Sequence, residues 1–283
     1  MTTELTYAAV VIAYRDVALA QRVVDQLAAQ TWAPSLVLIV DNGGTLDGDS
    51  LNPRSLHSEF KLISRPDNPG YSAAVNEARH TATDAVLVLT HDAVFDPELA
   101  ASLLRTMEKR ADAGAVAPVL RWVSTPDRVF SAGGTLTRGG RATHLIKVLD
   151  TDPYSVDWAD GAVVMYRRDA LQAIGWLDER YFLYFEDVDT AWRMSRTGLA
   201  TLIDPAAHAR QEPGNHPMRL GIRNMTLFAR RAEIPFPLHM AAVARRVGEH
   251  ATAEILRGRP PGLHQAWRGW REGRRGIDGK PSG

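Results

Sequence analysis

The sequence predicts an α/β fold built on a mostly parallel sheet with helices on both faces. Three observations lead there. Short Val/Ile/Leu-rich runs alternate with segments whose apolar residues recur at helical spacing. Each early run ends in a polar cluster of turn-forming residues. The chain of 283 residues is 45% hydrophobic and 23% charged, enough apolar surface for one large core.

In order, Ala8 to Ala13 reads as a first strand, and Val17, Ala20, Val23, Val24 and Leu27 as the buried stripe of the helix after it. Leu36 to Val40 is a second strand ending at Asp41-Asn42-Gly43-Gly44. Phe60 to Ile63 is a third, leading to a helix from Tyr71. Ala85 to Leu89 is a fourth, ending at His91-Asp92 before a helix near Pro97 to Arg110. In such sheets ligands bind beyond the carboxyl ends of the strands, so Arg15-Asp16, Asp41-Asn42 and His91-Asp92 should share one edge. Asp, Asn and Gly also populate plain turns, and any one cluster alone fits that reading.

After Val119 the pattern loosens through Ser131-Ala132-Gly133-Gly134 and Arg138-Gly139-Gly140-Arg141, which fits a hairpin or loop. The block from Asp157 to Asp204 holds the densest chemistry, and beyond Pro235 the chain turns helical and basic. Two regions are expected: 1–235 as the main domain and 236–283 as a basic helical extension. From Arg245 onward there are nine Arg or Lys against four acids. With Trp267 and Trp270, those arginines suit a peripheral contact with an anionic membrane, packing on the chain's own domain, or a homodimer contact.

Composition excludes several classes. Lys plus Arg and Asp plus Glu each total 33, so no net basic field points to nucleic acid. There are no cysteines, so any metal must be held by carboxylates or imidazoles. No apolar run approaches the roughly 20 residues that span a bilayer. The amino-terminal stretch lacks a signal-peptide pattern, and a cytoplasmic location follows as an expectation.

The densest motif is Tyr181-Phe182-Leu183-Tyr184-Phe185-Glu186-Asp187-Val188-Asp189, with Trp192 and Arg193 beyond. Aromatic residues abutting three carboxylates could desolvate one of them and tune it as a base. Acids in a first helical turn also complement the helix dipole, and the pattern alone leaves both roles open.

Five segments in this order, Val10-Val11-Ile12-Ala13-Tyr14, Val40-Asp41-Asn42-Gly43-Gly44, Asn68-Pro69-Gly70-Tyr71-Ser72-Ala73-Ala74-Val75-Asn76, Gly175-Trp176-Leu177-Asp178-Glu179 and Phe185-Glu186-Asp187-Val188-Asp189, resemble the family 2 glycosyltransferases, closest to a bacterial rhamnosyltransferase-like branch. The resemblance implies a GT-A fold, a nucleotide-diphospho-sugar donor, inversion at the anomeric carbon, and a divalent cation, Mn²⁺ or Mg²⁺. It assigns Asp187 as catalytic base and Ala13, Tyr14, Asp41, Asn68, Gly70, His91 and Asp92 to the donor side, with Asp41 on a pyrimidine base. Asp92 and His208 would face the metal, and Asp160, Gly161 and Glu186 the acceptor. Arg223-Asn224 echoes a family pattern that an exposed helix face would explain equally well.

The chain departs from the family in having Arg15 where Asn is common, and a single acid in Thr90-His91-Asp92-Ala93. A dTDP- or UDP-linked rhamnose or other deoxysugar is the expected donor, and a saccharide, lipid-linked glycan or small metabolite the expected acceptor. The competing readings are a sugar nucleotidyltransferase, for which Tyr14-Arg15-Asp16-Val17 lacks the glycines, and a non-catalytic sugar-nucleotide-binding partner subunit.

Overall fold

The computed structural model describes residues 5–47, 49–212, 214 and 216–281. The outermost ends of the two expected regions, 1–4 and 282–283, lie outside the described residues.

Strands β1 (Tyr7–Ala13), β2 (Leu36–Asp41), β3 (Glu59–Ser64) and β4 (Ala85–Thr90) pair in parallel in the order β3-β2-β1-β4. β1 and β2 are buried along their whole length, because helices cover both faces. Strand periodicity splits β1 between two cores. Tyr7, Ala9, Val11 and Ala13 join one core with Val23, Val24 and Leu27 of helix α1 (Val17–Ala28). Val10 and Ile12 join the other with Ala74 and Val75 of α2 (Tyr71–Asn76). Asp16 caps α1, its carboxylate accepting from Leu19 N at 2.9 Å. β3 lies at the sheet edge and alternates exposed with part-buried residues.

Beyond β4 come β5 (Val94–Phe95), α3 (Leu99–Lys109), the long β6 (Ala113–Trp122) and β7 (Val129–Ser131). The expected hairpin is present as β8 (Gly134–Leu136) and β9 (Ala142–His144). Then follow β10 (Tyr154–Val156), β11 (Val163–Arg167), α4 (Arg168–Ala173), α5 (Glu186–Arg196) and β12 (Ala200–Gln211). β11 inserts antiparallel between β4 and β6, and β12 runs parallel to β6. The sheet is therefore mixed but mainly parallel.

Three helices close the described chain: α6 (Met218–Arg231), α7 (Phe236–Leu256) and α8 (Leu263–Arg275). Gly269 and Gly273 let α8 lie on the backbone of α6, since a Cβ at either position would strike the carbonyl of Arg219 or Arg223. Arg219 and Glu272 pair at 2.7 Å across the same interface. Trp270 packs against this helical cluster, whereas Trp267 stays exposed, so only part of the aromatic face in 236–283 is free. No described helix is long and apolar enough to cross a membrane.

Candidate active site

Parallel pairing brings the carboxyl ends of β1, β2 and β4 to one edge, and the antiparallel β11 starts at that edge too. Backbone bonds tie the ends together: Asn42 N donates to Ala13 O at 2.9 Å, His91 N to Ile12 O at 3.1 Å, and Thr90 N to Ala162 O at 2.9 Å. Tyr14-Arg15, Asp41-Asn42, His91-Asp92 and Asp160-Gly161 thus converge. Ala13 is buried and contributes backbone, while Tyr14 is 42% exposed with the Arg15 guanidinium 5.0 Å from its ring centre.

Asp41 is fully buried, and its carboxylate accepts from Gly43 N (2.9 Å), Thr45 N (2.6 Å) and Leu46 N (2.7 Å). These bonds hold the carboxylate in place as they shape the loop after β2, at the edge where the base contact is expected. Asn42 donates to Gly70 O at 3.1 Å. Asn68 (φ 45°) and Gly70 (φ 99°) form a tight turn, and a Cβ on Gly70 would collide with Phe182 O, the oxygen that accepts from Tyr71 N at 2.7 Å. Only glycine suits both demands. This turn links the donor-side strands to the segment carrying the acids.

That segment is strained. Phe182, Tyr184 and Phe185 hold φ of 66°, 71° and 74°, a region costly for non-glycine residues. The cause lies in α6. Arg223 and Asn224 are buried, against the exposed face that the sequence allowed. The Asn224 amide lies 2.9, 2.8 and 2.8 Å from the carbonyl oxygens of Tyr181, Leu183 and Tyr184, and Arg223 donates to Tyr181 O at 3.1 Å. Sequence reasoning noticed this pair but could not know which way the helix faced.

The three acids at the start of α5 then separate. Asp189 is fully buried and clamped by Arg193 at 2.7 Å, Arg231 at 3.2 Å and the Tyr181 hydroxyl at 3.1 Å. Glu186 and Asp187 instead line a cleft of about 590 Å³ together with Asp160, Gly161 and Tyr71. Glu186 is buried, and among the described residues its Oε2 has no hydrogen-bond partner. Burial first, then the neighbouring Asp187, raises its carboxyl well above the usual range. Asp187 is half-buried; burial and the charge of Asp160 push it up to about 7, against the backbone N–H groups of Val188 and Gly161. A carboxylate near neutrality facing a cleft is suited to taking a proton.

Residues to which the sequence gave no site role, apart from Tyr184 of the acidic motif, complete the cleft. Trp122, Phe130, Trp158 and Tyr184 give it aromatic walls, and His144, His216, Arg141 and Arg246 give it nitrogen donors. His144 Nε2 lies 3.8 Å from the Asp160 carboxylate, and the His216 ring stacks 4.2 Å from Tyr184.

For a cation, Asp92 offers a half-buried carboxylate without a hydrogen bond or ion pair among the described residues, whereas His91 turns Nδ1 toward Ile12 O at 3.2 Å. His208 is exposed, on the face of β12 opposite the core residues Ala207 and Ala209. No group of three or more His, Asp or Glu side chains able to hold a metal occurs among the described residues. Mg²⁺ commonly binds through one or two carboxylates plus substrate phosphates, and the free Asp92 carboxylate fits a cation completed in that way.

Comparison with known proteins agrees with this architecture. The family described as Glycosyltransferase like family 2 matches residues 5–226. An N-acetylglucosaminyl-diphospho-decaprenol L-rhamnosyltransferase of Mycobacterium tuberculosis is 29% identical over 217 residues, 66% of this chain and 69% of the relative. A low-salt glycan biosynthesis hexosyltransferase of Haloferax volcanii is 24% identical over 169 residues, 57% of this chain and 54% of the relative. Among solved structures, GalNAc-T7 with UDP, GalNAc and Mn²⁺ superimposes with a TM-score of 0.65 at 13% identity, over 97% of this chain and 55% of the other. A mannosyltransferase of Pyrobaculum calidifontis in complex with GDP-Man and Mn²⁺ gives 0.56 at 15% identity, over 98% and 86%. The chain thus spans about half the length of the first of these structures, and at such identities both likenesses speak for the GT-A fold alone.

Proposed function

Since the chain belongs to the glycosyltransferase like family 2, we propose that it is an inverting glycosyltransferase in which Asp187 is the general base. The observation that carries this reading is the half-buried Asp187 on the cleft wall, raised toward neutrality beside Asp160 while Asp189, two residues on, is locked in ion pairs.

In this reading the donor lies across the carboxyl ends of β1, β2 and β4, with Tyr14, Arg15, the Asp41 loop, the Asn68-Gly70 turn and His91-Asp92 around it. The acceptor enters the cleft, where Asp160, Gly161 and the buried Glu186 orient its hydroxyl. Asp187 takes the hydroxyl proton as the oxygen attacks the anomeric carbon, and the sugar to diphosphate bond breaks on the opposite face. Asp92, with diphosphate oxygens, would hold Mn²⁺ or Mg²⁺, whose chemistry is Lewis-acid stabilisation of the departing charge. The Mn²⁺ named with both structural neighbours supports a divalent cation.

The rhamnosyltransferase relative supports a deoxysugar donor, which we take as dTDP- or UDP-linked, and a saccharide on a lipid carrier as acceptor. We take residues 1–235 as the catalytic unit and 236–283 as an extension that also builds the cleft through Arg246. The exposed Leu263 and Trp267, flanked by arginines, suit contact with an anionic membrane surface near such an acceptor.

Thermal shift with nucleotides tests the donor side, because ligand bound to the native state raises its stability. UDP or dTDP with Mn²⁺ should stabilise the protein more than GDP, and Asp92→Ala should lose the metal-dependent part. Equal shifts for all nucleotides would count against the pyrimidine assignment. A protein that binds sugar nucleotides yet never transfers or hydrolyses them would instead be a partner subunit.

A further inference from the structure

One buried side chain, Tyr71, joins the donor edge to the base. It opens α2 directly after Gly70. Its backbone N–H donates to Phe182 O at 2.7 Å, which ties it to the strained segment ahead of the acids. Its hydroxyl donates to the carbonyl oxygen of Gly161. The fit is close: a Cβ on Gly161 would stand 2.8 Å from that hydroxyl oxygen and 3.1 Å from the ring carbon that carries it, so Tyr71 in this place holds residue 161 to glycine. On the donor side, Asn42 donates to Gly70 O at 3.1 Å, while its own buried Oδ1 has no partner among the described residues.

On the base side, Gly161 presents its N–H to the Asp187 carboxylate. Its neighbours are held: Ala162 N donates to Asp160 Oδ1 at 2.8 Å, and Thr90 N donates to Ala162 O at 2.9 Å. Gly161 has no side chain to steady it, and glycine is the residue freest to turn its backbone. A hydroxyl anchored on its carbonyl oxygen limits that freedom where it would carry the N–H away from the base. The hydroxyl stays a donor at every working pH, since burial, then Tyr166 and the nearby acids, raise it well above its ordinary value. Facing the pair are Asp160 ahead of β11, Tyr166 on β11, and Glu186 and Asp187 on α5. Arg193, also on α5, is taken up by Asp189, and His144, His216, Arg141 and Arg246 stand elsewhere on the cleft wall. We infer that Tyr71 is a positioning residue: through the carbonyl of Gly161 it fixes the N–H that faces Asp187, and through Gly70 it ties the base to the turn beside the donor. The inference rests on the transferase reading above and adds the residue that holds its base in register with its donor.

Carbon-13 NMR of the aspartate carboxyls in the full-length chain follows Asp187 directly, its signal identified by its absence in Asp187→Asn. The wild-type midpoint should lie at about 7. In Tyr71→Phe, which keeps the ring and loses the hydroxyl, it should rise, because an N–H no longer held toward the carboxylate favours its charged form less. Turnover should follow, with kcat in Tyr71→Phe lower by about tenfold, the scale of one hydrogen bond, and the climb of the rate moved to higher pH. Gly161→Ala, which crowds the hydroxyl from the other side, should move the midpoint in the same direction and serves as the second variant should Tyr71→Phe fold poorly. The thermal shift with UDP or dTDP and Mn²⁺ should survive in Tyr71→Phe, which also reports that it folds. An unchanged midpoint in both variants overturns the positioning role. So does a lower kcat with an unmoved midpoint, the result that a merely structural bond would give. A wild type that turns over no sugar nucleotide would instead break the transferase reading, while the midpoints would still decide the part of Tyr71.

Discussion

The first turn of α5 has two sides that look alike in sequence and differ in chemistry. Toward the core, Asp189 is enclosed by Arg193, Arg231 and the Tyr181 hydroxyl. Toward the cleft, Glu186 and Asp187 stand near Asp160 and make no ion pair among the described residues, and burial raises both carboxyls. One side spends its acid on holding the fold. Burial raises the Asp189 carboxyl too, but its ion pairs hold it in place, whereas Asp187, pushed up to about 7 on the cleft wall, stands where it can accept a proton. Acidity at a helix start thus says little about role; the partners decide it.

The comparison can be broken most forcefully at its structural side. Asp189→Ala would leave Arg193 and Arg231 without their shared carboxylate, and removing one partner of a buried ion pair costs about 3 to 5 kcal/mol. Urea denaturation should show a loss of that order. A change of only a few tenths would mean that Asp189 does not anchor the turn.

Next in size is the strained loop joining the two sides. Asn224→Ala would remove the amide that donates to the carbonyl oxygens of Leu183 and Tyr184. The expected cost is about 1 to 3 kcal/mol of stability, together with reduced turnover, because the loop sets the position of Glu186 and Asp187. Full turnover with reduced stability would confine Asn224 to a structural part.

The smallest effect sharpens the cleft side. Glu186 has a raised pKa in the folded protein, so its contribution to stability is complete below its unfolded pKa and is lost as pH rises through the folded value. Glu186→Gln removes that loss. The variant should match the wild type in melting temperature near pH 4 and exceed it near pH 8. A variant less stable than the wild type at pH 8 would show that the carboxylate is welcome there.

The parallel strands and their shared edge were legible because continuous apolar runs and the turn residues that end them are local signals: Leu36 to Val40 reads as a buried strand from its own composition. The strained loop was not. Burial of Arg223 and Asn224 depends on how α6 packs, and Arg246 enters the cleft from a helix whose sequence reads as a basic tail.

The most direct test of the central claim is the pH dependence of turnover in the wild type and in Asp187→Asn. Asn keeps the volume of the side chain and cannot take a proton at any working pH. With Asp187 pushed up to about 7, the wild-type rate should rise with pH through that value and level off above it, since the base works only when deprotonated. Asp187→Asn should fold, keep its nucleotide-induced thermal shift, lose about 10²- to 10⁴-fold in kcat, and show no such rise. A variant that retains the wild-type rate and its pH profile would contradict the assignment and move the base to another carboxylate of the cleft.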